Sequence, residues 1–421
     1  MSTAIPQHIL VAPAGFKESL DANAVARAIT AGVRRAIPGA HVKALPMPDG
    51  GEGTAEMLAE STGGRIVRKR VIGPVGQEID SHYALLGGKA KGVAVVEMAA
   101  AAGLRLVPRD MRDPTLTTTY GVGQLIATAL DDDVHTILIG CGDSGTSDGG
   151  LGALQALGVK ITDKDGKDVG QGGRCLADVA HLDYSGLHPA LREGRIKMVM
   201  ALNAHNILTG ERGVARVFGP QKGATPEQVE QLAKGFENWA EKLAANCLPA
   251  ARHVDFALGA GTGASGGLGA GLASVGAQLV SRFEALLDSG LAGFDLNELL
   301  AGADLVITAE GALDFQTPRG KVPAEVAMRA SNLGIPVVAL AGTLGKGADD
   351  VYDIGIDAIA SIVPIPMTLD RAISEGERLL REASERMMRT LLLGASMATK
   401  LNNRRMQQSQ QLFSGSSNSQ W

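Results

Sequence analysis

The sequence is poor in cysteine and in aromatic residues, and both shortages narrow the kinds of protein it can encode. Its three cysteines, Cys141, Cys175 and Cys247, are widely separated and form no Cys-x-x-Cys pair, a pattern that argues against a disulfide framework or a cysteine-based zinc site. Reduced thiols fit this pattern best, so we expect a cytoplasmic protein. Aromatic residues make up only 3% of the chain; the core must therefore be aliphatic and rich in alanine and glycine.

Long apolar runs and concentrated positive charge are also missing. No run of about 18 apolar residues occurs, and the first residues lack a basic segment followed by an apolar one, so we expect neither membrane insertion nor secretion. The formal net charge is −5, without a basic stripe that carries interleaved aromatic residues, which argues against nucleic-acid binding. The expected partner is a small molecule. A homo-oligomer is compatible with the sequence, which does not give the oligomeric state.

Glycine is the residue present in excess, and the 55 glycines gather in loops rather than in a regular repeat, unlike those of collagen. The central loop spans residues 140–150. The apolar residues 137–139 before it predict a strand, and Leu151, Leu154 and Leu157 after it have helical spacing. A strand–loop–helix corner of this kind directs backbone N–H groups and the positive end of a helix at one point, which favours an anion.

We predict that this corner forms one wall of a phosphate-transfer site. It offers hydroxyl groups and backbone amides at Ser144, Thr146, Ser147 and Gly149, and the carboxylate of Asp148 is a candidate catalytic group that acts on an acceptor hydroxyl. The pattern Gly-x-x-x-x-Gly-Lys-[Ser/Thr] does not occur, so the corner is not a P-loop.

Residues 140–145 also match the Gly-x-Gly-x-x-Gly fingerprint of dinucleotide binding. In a chain with this many glycines about one such match is expected by chance, and residues 261–266 supply another. The acid that should bind the ribose would be Asp163 or Asp165, which we place in a hairpin rather than after a second parallel strand. An NAD-dependent oxidoreductase is therefore only a distant alternative.

Strands and helices alternate at both ends of the chain but not in its middle. Residues 8–62 and the segment from Asp304 onwards share a strand–helix rhythm that indicates a parallel sheet, whereas hairpin signals such as residues 73–76 indicate a mixed sheet between them. We predict an α/β protein with two domains, one with a parallel sheet built from both chain ends and the other inserted with a mixed sheet. The predicted bounds are residues 1–66 with 285–398, residues 67–284, and a disordered, Ser- and Gln-rich tail at 399–421.

Acidic residues in other loops are further candidates. Phosphoryl transfer needs a carboxylate that orients or deprotonates the attacking hydroxyl, and carboxylates that hold Mg²⁺. We predict Asp49, in the glycine loop 48–54, for a catalytic role, and Glu52, Glu310 and Asp314 as metal ligands. The alternative for Asp49 and Glu52 is a turn residue followed by a solvated residue in the first turn of a helix.

Three lysines lie in loops flanked by Gly or Pro rather than on a helix face: Lys17, Lys222 and Lys321. Cations in such loops can offset the charge of a transferring phosphate. We predict Lys17 as a catalytic residue and the other two as ligands of a phosphate or of the acceptor's carboxylate. The predicted binding set is completed by Ser19, Gly51, Gly53 and Gly266.

Short motifs follow one another across residues 8–398. They are Phe16-Lys17-Glu18-Ser19-Leu20, Asp49-Gly50-Gly51-Glu52-Gly53-Thr54, Val96-Glu97-Met98-Ala99, Arg112-Asp113-Pro114 with Thr117-Thr118, Ser147-Asp148-Gly149-Gly150, Phe218-Gly219-Pro220-Gln221-Lys222-Gly223-Ala224, Ala264-Ser265-Gly266-Gly267 and Gly320-Lys321-Val322-Pro323. In this order they resemble the bacterial glycerate kinase family of the type without a MOFRL domain. The resemblance implies a flavodoxin-like domain, and ATP- and Mg²⁺-dependent phosphorylation of D-glycerate to 2- or 3-phosphoglycerate, of which we favour 2-phosphoglycerate.

The chain departs from that family's pattern in loops that we expect to line a cleft between the domains. Ala14 and Gly15 stand where Asp followed by Ser or Tyr is usual, Asn203 stands at an Asp position, and Asp143 is gained. The kinase chemistry is compatible with these changes, but the acceptor can differ. A kinase for another small sugar acid, such as a four-carbon aldonate, is therefore the nearest alternative.

Overall fold

The computed structural model describes residues 5–16, 19–290 and 294–415, and the chain divides into two compact units. The first comprises Met1–Met47 and Leu296–Trp421, and the second comprises Pro48–Asp295. Both chain ends therefore build one unit, and the middle of the chain forms the other.

The strands are β1 (His8–Val11), β2 (His41–Ala44), β3 (Arg65–Ile72), β4 (Glu78–Leu85), β5 (Val93–Glu97), β6 (Thr136–Gly140), β7 (Lys160–Thr162), β8 (His181–Asp183), β9 (Lys197–Leu202), β10 (Gln278–Ser281), β11 (Leu305–Leu313), β12 (Val337–Leu344) and β13 (Ala358–Ser361). The helices are α1 (Ala22–Ala36), α2 (Thr54–Thr62), α3 (Met98–Ala102), α4 (Tyr120–Leu130), α5 (Leu151–Ala156), α6 (Pro189–Arg192), α7 (Val214–Phe218), α8 (Pro226–Asn246), α9 (Ala264–Ala273), α10 (Leu296–Ala301), α11 (Val322–Ser331), α12 (Leu369–Ser374) and α13 (Gly376–Gly415). In the described ranges, no helix combines the length and apolar character that spanning a membrane requires.

The first unit contains a five-stranded sheet in the order β13-β12-β11-β1-β2, and every neighbouring pair in it is parallel. Counted along the chain within this unit, the order is 2-1-3-4-5, which defines the flavodoxin-like arrangement. Residues 305–309 at the start of β11 are all buried, as expected for a parallel strand that is covered on both faces. The predicted α/β class and the flavodoxin-like sheet are thus confirmed.

The second unit contains a six-stranded mixed sheet in the order β10-β9-β6-β5-β4-β3. The pairs from β10 to β5 are parallel, whereas β4 runs antiparallel to both β5 and β3. A separate hairpin joins β7 and β8. The mixed sheet agrees with the predicted architecture of the inserted segment.

The structure divides the two units at residues 47/48 and 295/296, whereas the predicted boundaries are 66/67 and 284/285. Helix α2 belongs to the second unit, because Ala55 and Leu58 on its apolar face are buried in one cluster with Val93 and Leu138 of the mixed sheet. Leu286 belongs to the same cluster. The sequence shows that α2 has an apolar face, but it does not show which sheet covers that face.

Two other expectations differ from the structure. The sequence of the third glycine segment, residues 259–271, predicts a helix that continues through Leu279. In the structure α9 ends at Ala273, and Gln278–Ser281 form β10, which pairs with β9. The tail from residue 399 was expected to be disordered, but α13 continues through Gly415. No Gly or Pro lies between Gly394 and Gly415, so no residue in that stretch strongly opposes a helix.

The packing of α1 against α13 in the first unit depends on Gly32. A Cβ added there would lie 2.2 Å from the carbonyl oxygen of Arg381 and 2.7 Å from the Cβ of Ser384. Gly32→Ala should therefore lower the free energy of unfolding by about 1–3 kcal/mol, which differential scanning calorimetry detects as a lower transition temperature. Gly39→Ala is the control, since a Cβ at Gly39 meets nothing within 4 Å. Equal transition temperatures for the two variants would contradict this close packing.

Candidate active site

Two glycine loops of the second unit pack backbone against backbone. The N–H of Gly142, in the loop after β6, donates to the carbonyl oxygen of Gly50 at 2.9 Å. A Cβ on Gly142 would lie 2.4 Å from the Cα of Gly51, and a Cβ on Gly140 would lie 2.6 Å from the carbonyl oxygen of Gly50. Real Cβ atoms do not approach backbone so closely, so these positions must be glycine for the loops to touch. This contact brings the predicted residues of both loops together.

Two carboxylates converge on Gly51. The Oδ1 atom of Asp49 accepts a hydrogen bond from the N–H of Gly51 at 2.8 Å, and the Oδ2 atom of Asp143 accepts one from the N–H of Glu52 at 3.4 Å. A Cβ on Gly51 would lie 3.0 Å and 2.5 Å from these two oxygens. Asp143 itself has a φ of 52°, a left-handed conformation that is uncommon for a residue with a side chain. Asp49 thus lies in a carboxylate pair with Asp143, which the sequence also offers, together with Asp148, as a ligand for a divalent cation.

Glu52, a predicted metal ligand, is paired with an arginine. Its Oε1 atom lies 2.6 Å from Nη1 of Arg105, and both side chains are about half exposed. An exposed ion pair of this kind contributes little to the stability of the fold. It nevertheless places the positive charge of the Arg105 guanidinium beside the Glu52 carboxylate. Glu52 therefore lies in an exposed ion pair, whereas the other predicted metal ligands, Glu310 and Asp314, are partly buried.

Asp148 is fully buried and surrounded by donors. Its Oδ2 atom accepts hydrogen bonds from the N–H and the hydroxyl of Thr119, both at 2.8 Å, and from the N–H of Gly152 at 3.2 Å. Its Oδ1 atom accepts one from the N–H of Gly150 at 3.1 Å. Burial raises the pKa of this carboxyl, although the four hydrogen bonds act in the opposite direction. Asp148 therefore fastens the starts of α4 and α5 to each other, and the geometry favours a positioning role over direct contact with a substrate.

Lys222 is the buried cation of this site. It is only 2% exposed, and its Nζ atom donates to the hydroxyl of Ser144 at 2.9 Å and to the carbonyl oxygen of Thr146 at 2.6 Å. Burial lowers the pKa of Lys222 to about 7, with a smaller opposing effect from the charge of Asp148. The structure thus brings Lys222 together with two predicted residues of the central loop, Ser144 and Thr146, which are distant from it in the sequence.

Hydroxyl groups without partners lie next to this lysine. Thr146 and Ser147 are fully buried, and within the described part of the chain their hydroxyl oxygens have no hydrogen-bond partner. Gly266 packs on them, since a Cβ there would lie 2.0 Å from the carbonyl oxygen of Thr146, and its own carbonyl accepts from the N–H of Gly149 at 2.9 Å. Buried polar groups are nearly always satisfied in folded proteins. Thr146 and Ser147 therefore keep hydrogen-bonding capacity in the loop that Lys222 contacts.

The first unit holds a second cluster of predicted residues. The Nζ atom of Lys321 lies 3.3 Å from Oδ1 of Asp314 and 3.5 Å from Oε1 of Glu310, and it donates to the carbonyl oxygen of Ala312 at 3.2 Å. The three charged side chains are between 17% and 25% exposed. Glu310 lies on β11 and Lys321 directly precedes α11, so the strand end and the helix start fix this arrangement.

Ser19, Gly53 and Lys17 complete the predicted set. The hydroxyl of Ser19 donates to the carbonyl oxygen of Ile373 at 3.0 Å, which fastens its loop to α12. Gly53 has a φ of 87° and its N–H donates to Oε2 of Glu97 at 3.4 Å. Lys17 lies outside the described residues. Glu97, at the end of β5, is part of a sequence motif but is not among the predicted site residues. In the sequence it can be recognised as an acid that directly follows four apolar residues of a buried strand.

The fold and these loops define a two-unit α/β protein with closely packed glycine-rich loops, a buried lysine and a carboxylate–lysine cluster. The chain belongs to the glycerate kinase family, whose family model matches residues 9–392. It is 42% identical to a glycerate kinase of Halalkalibacterium halodurans, over 89% of this chain and 96% of that protein. It is 40% identical to the glycerate 2-kinase of Escherichia coli K12, over 92% of this chain and 98% of that protein. A crystal structure of a Salmonella typhimurium LT2 protein described as a glycerate kinase 2 has a TM-score of 0.71 and 41% identity, and covers 92% of this chain and 99% of that one.

The buried Lys222 should make the stability of the second unit depend on pH. The pKa of this lysine falls from 10.5 to about 7 on burial, so between these values the unfolded chain holds one more proton than the folded chain. Stability then rises with pH, by up to about 1.4 kcal/mol per pH unit for one proton. In calorimetry from pH 7 to pH 9, the wild-type protein should gain stability relative to Lys222→Met.

Lys234→Met, which removes an exposed lysine of α8, is the control for that comparison and should follow the wild-type pH dependence. Parallel pH curves for the wild type and Lys222→Met would show that the ammonium group is not desolvated.

Proposed function

We propose that this protein is an ATP-dependent kinase that phosphorylates D-glycerate, with 2-phosphoglycerate as the favoured product. Membership of the glycerate kinase family and the similarity to the Escherichia coli glycerate 2-kinase over nearly the whole of both chains support this proposal. The structural observation that carries it is the buried anion-binding cluster of Lys222, Thr146 and Ser147. A small acid and a polyphosphate are both anions that such a cluster can bind.

Lys222 and the glycine loop are the proposed anion-binding elements. An anion beside the Nζ atom would raise the pKa of this lysine again, because an opposite charge stabilises the ammonium form. Binding would therefore charge the lysine and give the hydroxyls of Thr146 and Ser147 their missing acceptor. Charge stabilisation in a buried site of this kind is a large contribution to phosphoryl transfer.

Asp49 is the proposed group that orients the acceptor hydroxyl and accepts its proton. It is half-buried and lies beside Asp143 at Gly51, in the loop that touches the backbone of the central glycine loop. Asp148 would act through other residues, because its carboxylate is enclosed by protein donors. It would hold the loop that carries Ser144, Thr146 and Ser147.

Glu310 and Asp314 are the proposed Mg²⁺ ligands. Carboxylate oxygens suit this ion, which keeps several waters and is usually held by one or two carboxylates together with substrate phosphates, and these side chains retain some exposure. The ion would offset the negative charge of the phosphates during transfer. Lys321 would then release its two carboxylate partners and bind phosphate. Lys17, outside the described residues, stays a candidate catalytic cation.

The expected partner is thus a small acid together with ATP. The three cysteines are free thiols, which supports the reducing, cytoplasmic location expected from the sequence.

A coupled assay of ADP release with a panel of hydroxy acids tests the proposed function. D-glycerate should give the highest kcat/KM, and NMR of the product should place the phosphate on the 2-hydroxyl. A higher kcat/KM for a four-carbon aldonate would assign the other acceptor class and overturn the proposed substrate. If fluorescence titration shows that NAD(H) binds and no ADP is released with any of the acids, the proposed kinase activity is wrong.

The metal cluster is tested by Asp314→Asn. Loss of one carboxylate should raise the Mg²⁺ concentration needed for half-maximal turnover by about tenfold or more, because Asn binds this ion more weakly than Asp does. Asp349→Asn, which changes an exposed acid of the same unit, should leave that concentration unchanged. Equal Mg²⁺ dependence of the two variants would remove Asp314 from the metal site.

A further inference from the structure

The second unit holds a cluster of three potential metal ligands that the proposed reaction does not use. Glu56 lies on α2, His82 on β4 and Glu97 at the end of β5. One nitrogen or oxygen atom from each of these side chains lies within 4.8 Å of the others. The closest pair is Nε2 of His82 and Oε1 of Glu56, at 2.8 Å.

Glu97 is the most buried member of the cluster, and its charged neighbours there are His82 and Glu56. It is 1% exposed, and its oxygens accept hydrogen bonds from the N–H groups of Ala55 at 2.5 Å and Gly53 at 3.4 Å. Among the residues that the structure describes, no lysine or arginine forms an ion pair with it. Burial raises the pKa of Glu97 to about 8, although the hydrogen bonds from Ala55 and Gly53 and the charge of His82 act in the opposite direction. Buried charges in proteins are normally paired or bound to a metal ion.

We propose that Glu56, His82 and Glu97 bind a divalent metal ion. One imidazole and two carboxylates form a mixed nitrogen and oxygen ligand set, which suits Mn²⁺ or Zn²⁺ better than the all-oxygen preference of Mg²⁺. Two such ligand atoms on one ion lie roughly 3 Å apart, close to the separation between His82 and Glu56. The site therefore needs only small shifts of side chains to close around an ion.

The surroundings of the cluster meet the other requirements of a metal site. The two backbone N–H groups that hold Glu97 orient its carboxylate, as outer hydrogen bonds do for metal ligands in general. The side chain of Glu56 is 49% exposed and that of His82 is 17% exposed, so the cluster opens to solvent on this side. That opening provides an entry path and space for water ligands.

A proton is the competing occupant. Nε2 of His82 lies 2.8 Å from Oε1 of Glu56. This contact raises the pKa of the histidine and lowers that of the glutamate, while the charge of Arg68 opposes the rise at His82, so the proton that competes with a metal ion is the one on His82. A metal ion would displace this proton, since imidazole binds metals only in its neutral form. Metal affinity should therefore increase with pH as His82 loses its proton, with the carboxylates of Glu56 and Glu97 as the facing charges.

The proposed ion would connect α2 to two strands of the mixed sheet. Because Gly53 and Ala55 donate to Glu97, the ion would also stabilise the start of α2, directly after Asp49 and Glu52. This role does not depend on the proposed kinase activity, and its test does not measure turnover.

The experiment is isothermal titration of the chelator-treated full chain with MnCl₂ and, separately, with ZnCl₂. The expected result is one Mn²⁺ per chain with an accompanying rise in the thermal transition temperature. His82→Gln should weaken Mn²⁺ binding by about tenfold or more, whereas His181→Gln, which removes an exposed histidine of β8, should not weaken it.

Glu97→Gln keeps an oxygen that can accept from Ala55 but removes the charge, so it should fold and still lose Mn²⁺ affinity. Calorimetry of the metal-free variants shows whether each one folds. If Glu97→Gln does not fold, the Mn²⁺ affinity of His82→Gln alone tests the proposal. Absence of Mn²⁺ and Zn²⁺ binding, or binding that is equal in the wild type and His82→Gln, would overturn the proposal.

Discussion

The contact between two glycine loops of the second unit sets where the polar groups of that unit's candidate site lie. Gly140 and Gly142 press on the backbone of Gly50 and Gly51, and neither loop can retain its course if a side chain stands between them. The same principle holds on the other side of the central loop, where Gly266 touches the backbone of Thr146. Close backbone approach is a use to which glycine is uniquely suited. The glycine excess of the chain is therefore a packing requirement at these places rather than a sign of flexibility.

Close packing also explains why ionisable groups of this unit are buried, and each is accommodated differently. Asp148 has four hydrogen-bond donors around its carboxylate, which suffices to hold an acid in a structural role. Lys222 has two oxygen acceptors and a lowered pKa, so its charge is only partly stabilised. An anion that binds beside Lys222 would stabilise the charged form of this lysine strongly, because the lysine has already lost its water on folding.

The sequence predicted the architecture well because its signals there are periodic. Alternating strand and helix patterns at both chain ends identified the parallel sheet, and turn signals in the middle identified the mixed one. The errors arose where a local pattern fits two tertiary structures. The apolar face of α2 suits either sheet, and Gln278–Ser281 follow a helical glycine segment but pair as a strand with β9. Only the neighbouring strand, which is distant in the sequence, decides such cases.

The candidate site residues were selected by residue type and loop position, and neither property reveals how accessible a side chain is. Lys222, Ser144 and Thr146 were selected as loop residues that suit a phosphate, and the structure brings them together. Asp148 and Asp49 were selected on the same grounds, but Asp148 is fully buried and Asp49 is half-buried. A glycine loop in a sequence does not reveal which of its acids turns inward to cap a helix. Glu97 was not selected from the sequence, because an acid at the end of an apolar strand is usually exposed to solvent, and the sequence does not show that this one is buried.

Burial also separates the two clusters by the chemistry they suit. A Mg²⁺ ion keeps several water ligands, so its carboxylates must remain partly accessible, as Glu310 and Asp314 are. A phosphoryl group in transfer has to be shielded from water, because hydrolysis competes with transfer to the acceptor, and Thr146, Ser147 and Lys222 are buried almost completely. An assignment with the roles reversed would place an ion that is difficult to dehydrate in the dry cluster and a reactive phosphate in the wet one. These exposures fit the roles proposed for Glu310 and Asp314 in the first unit and for Thr146, Ser147 and Lys222 in the second.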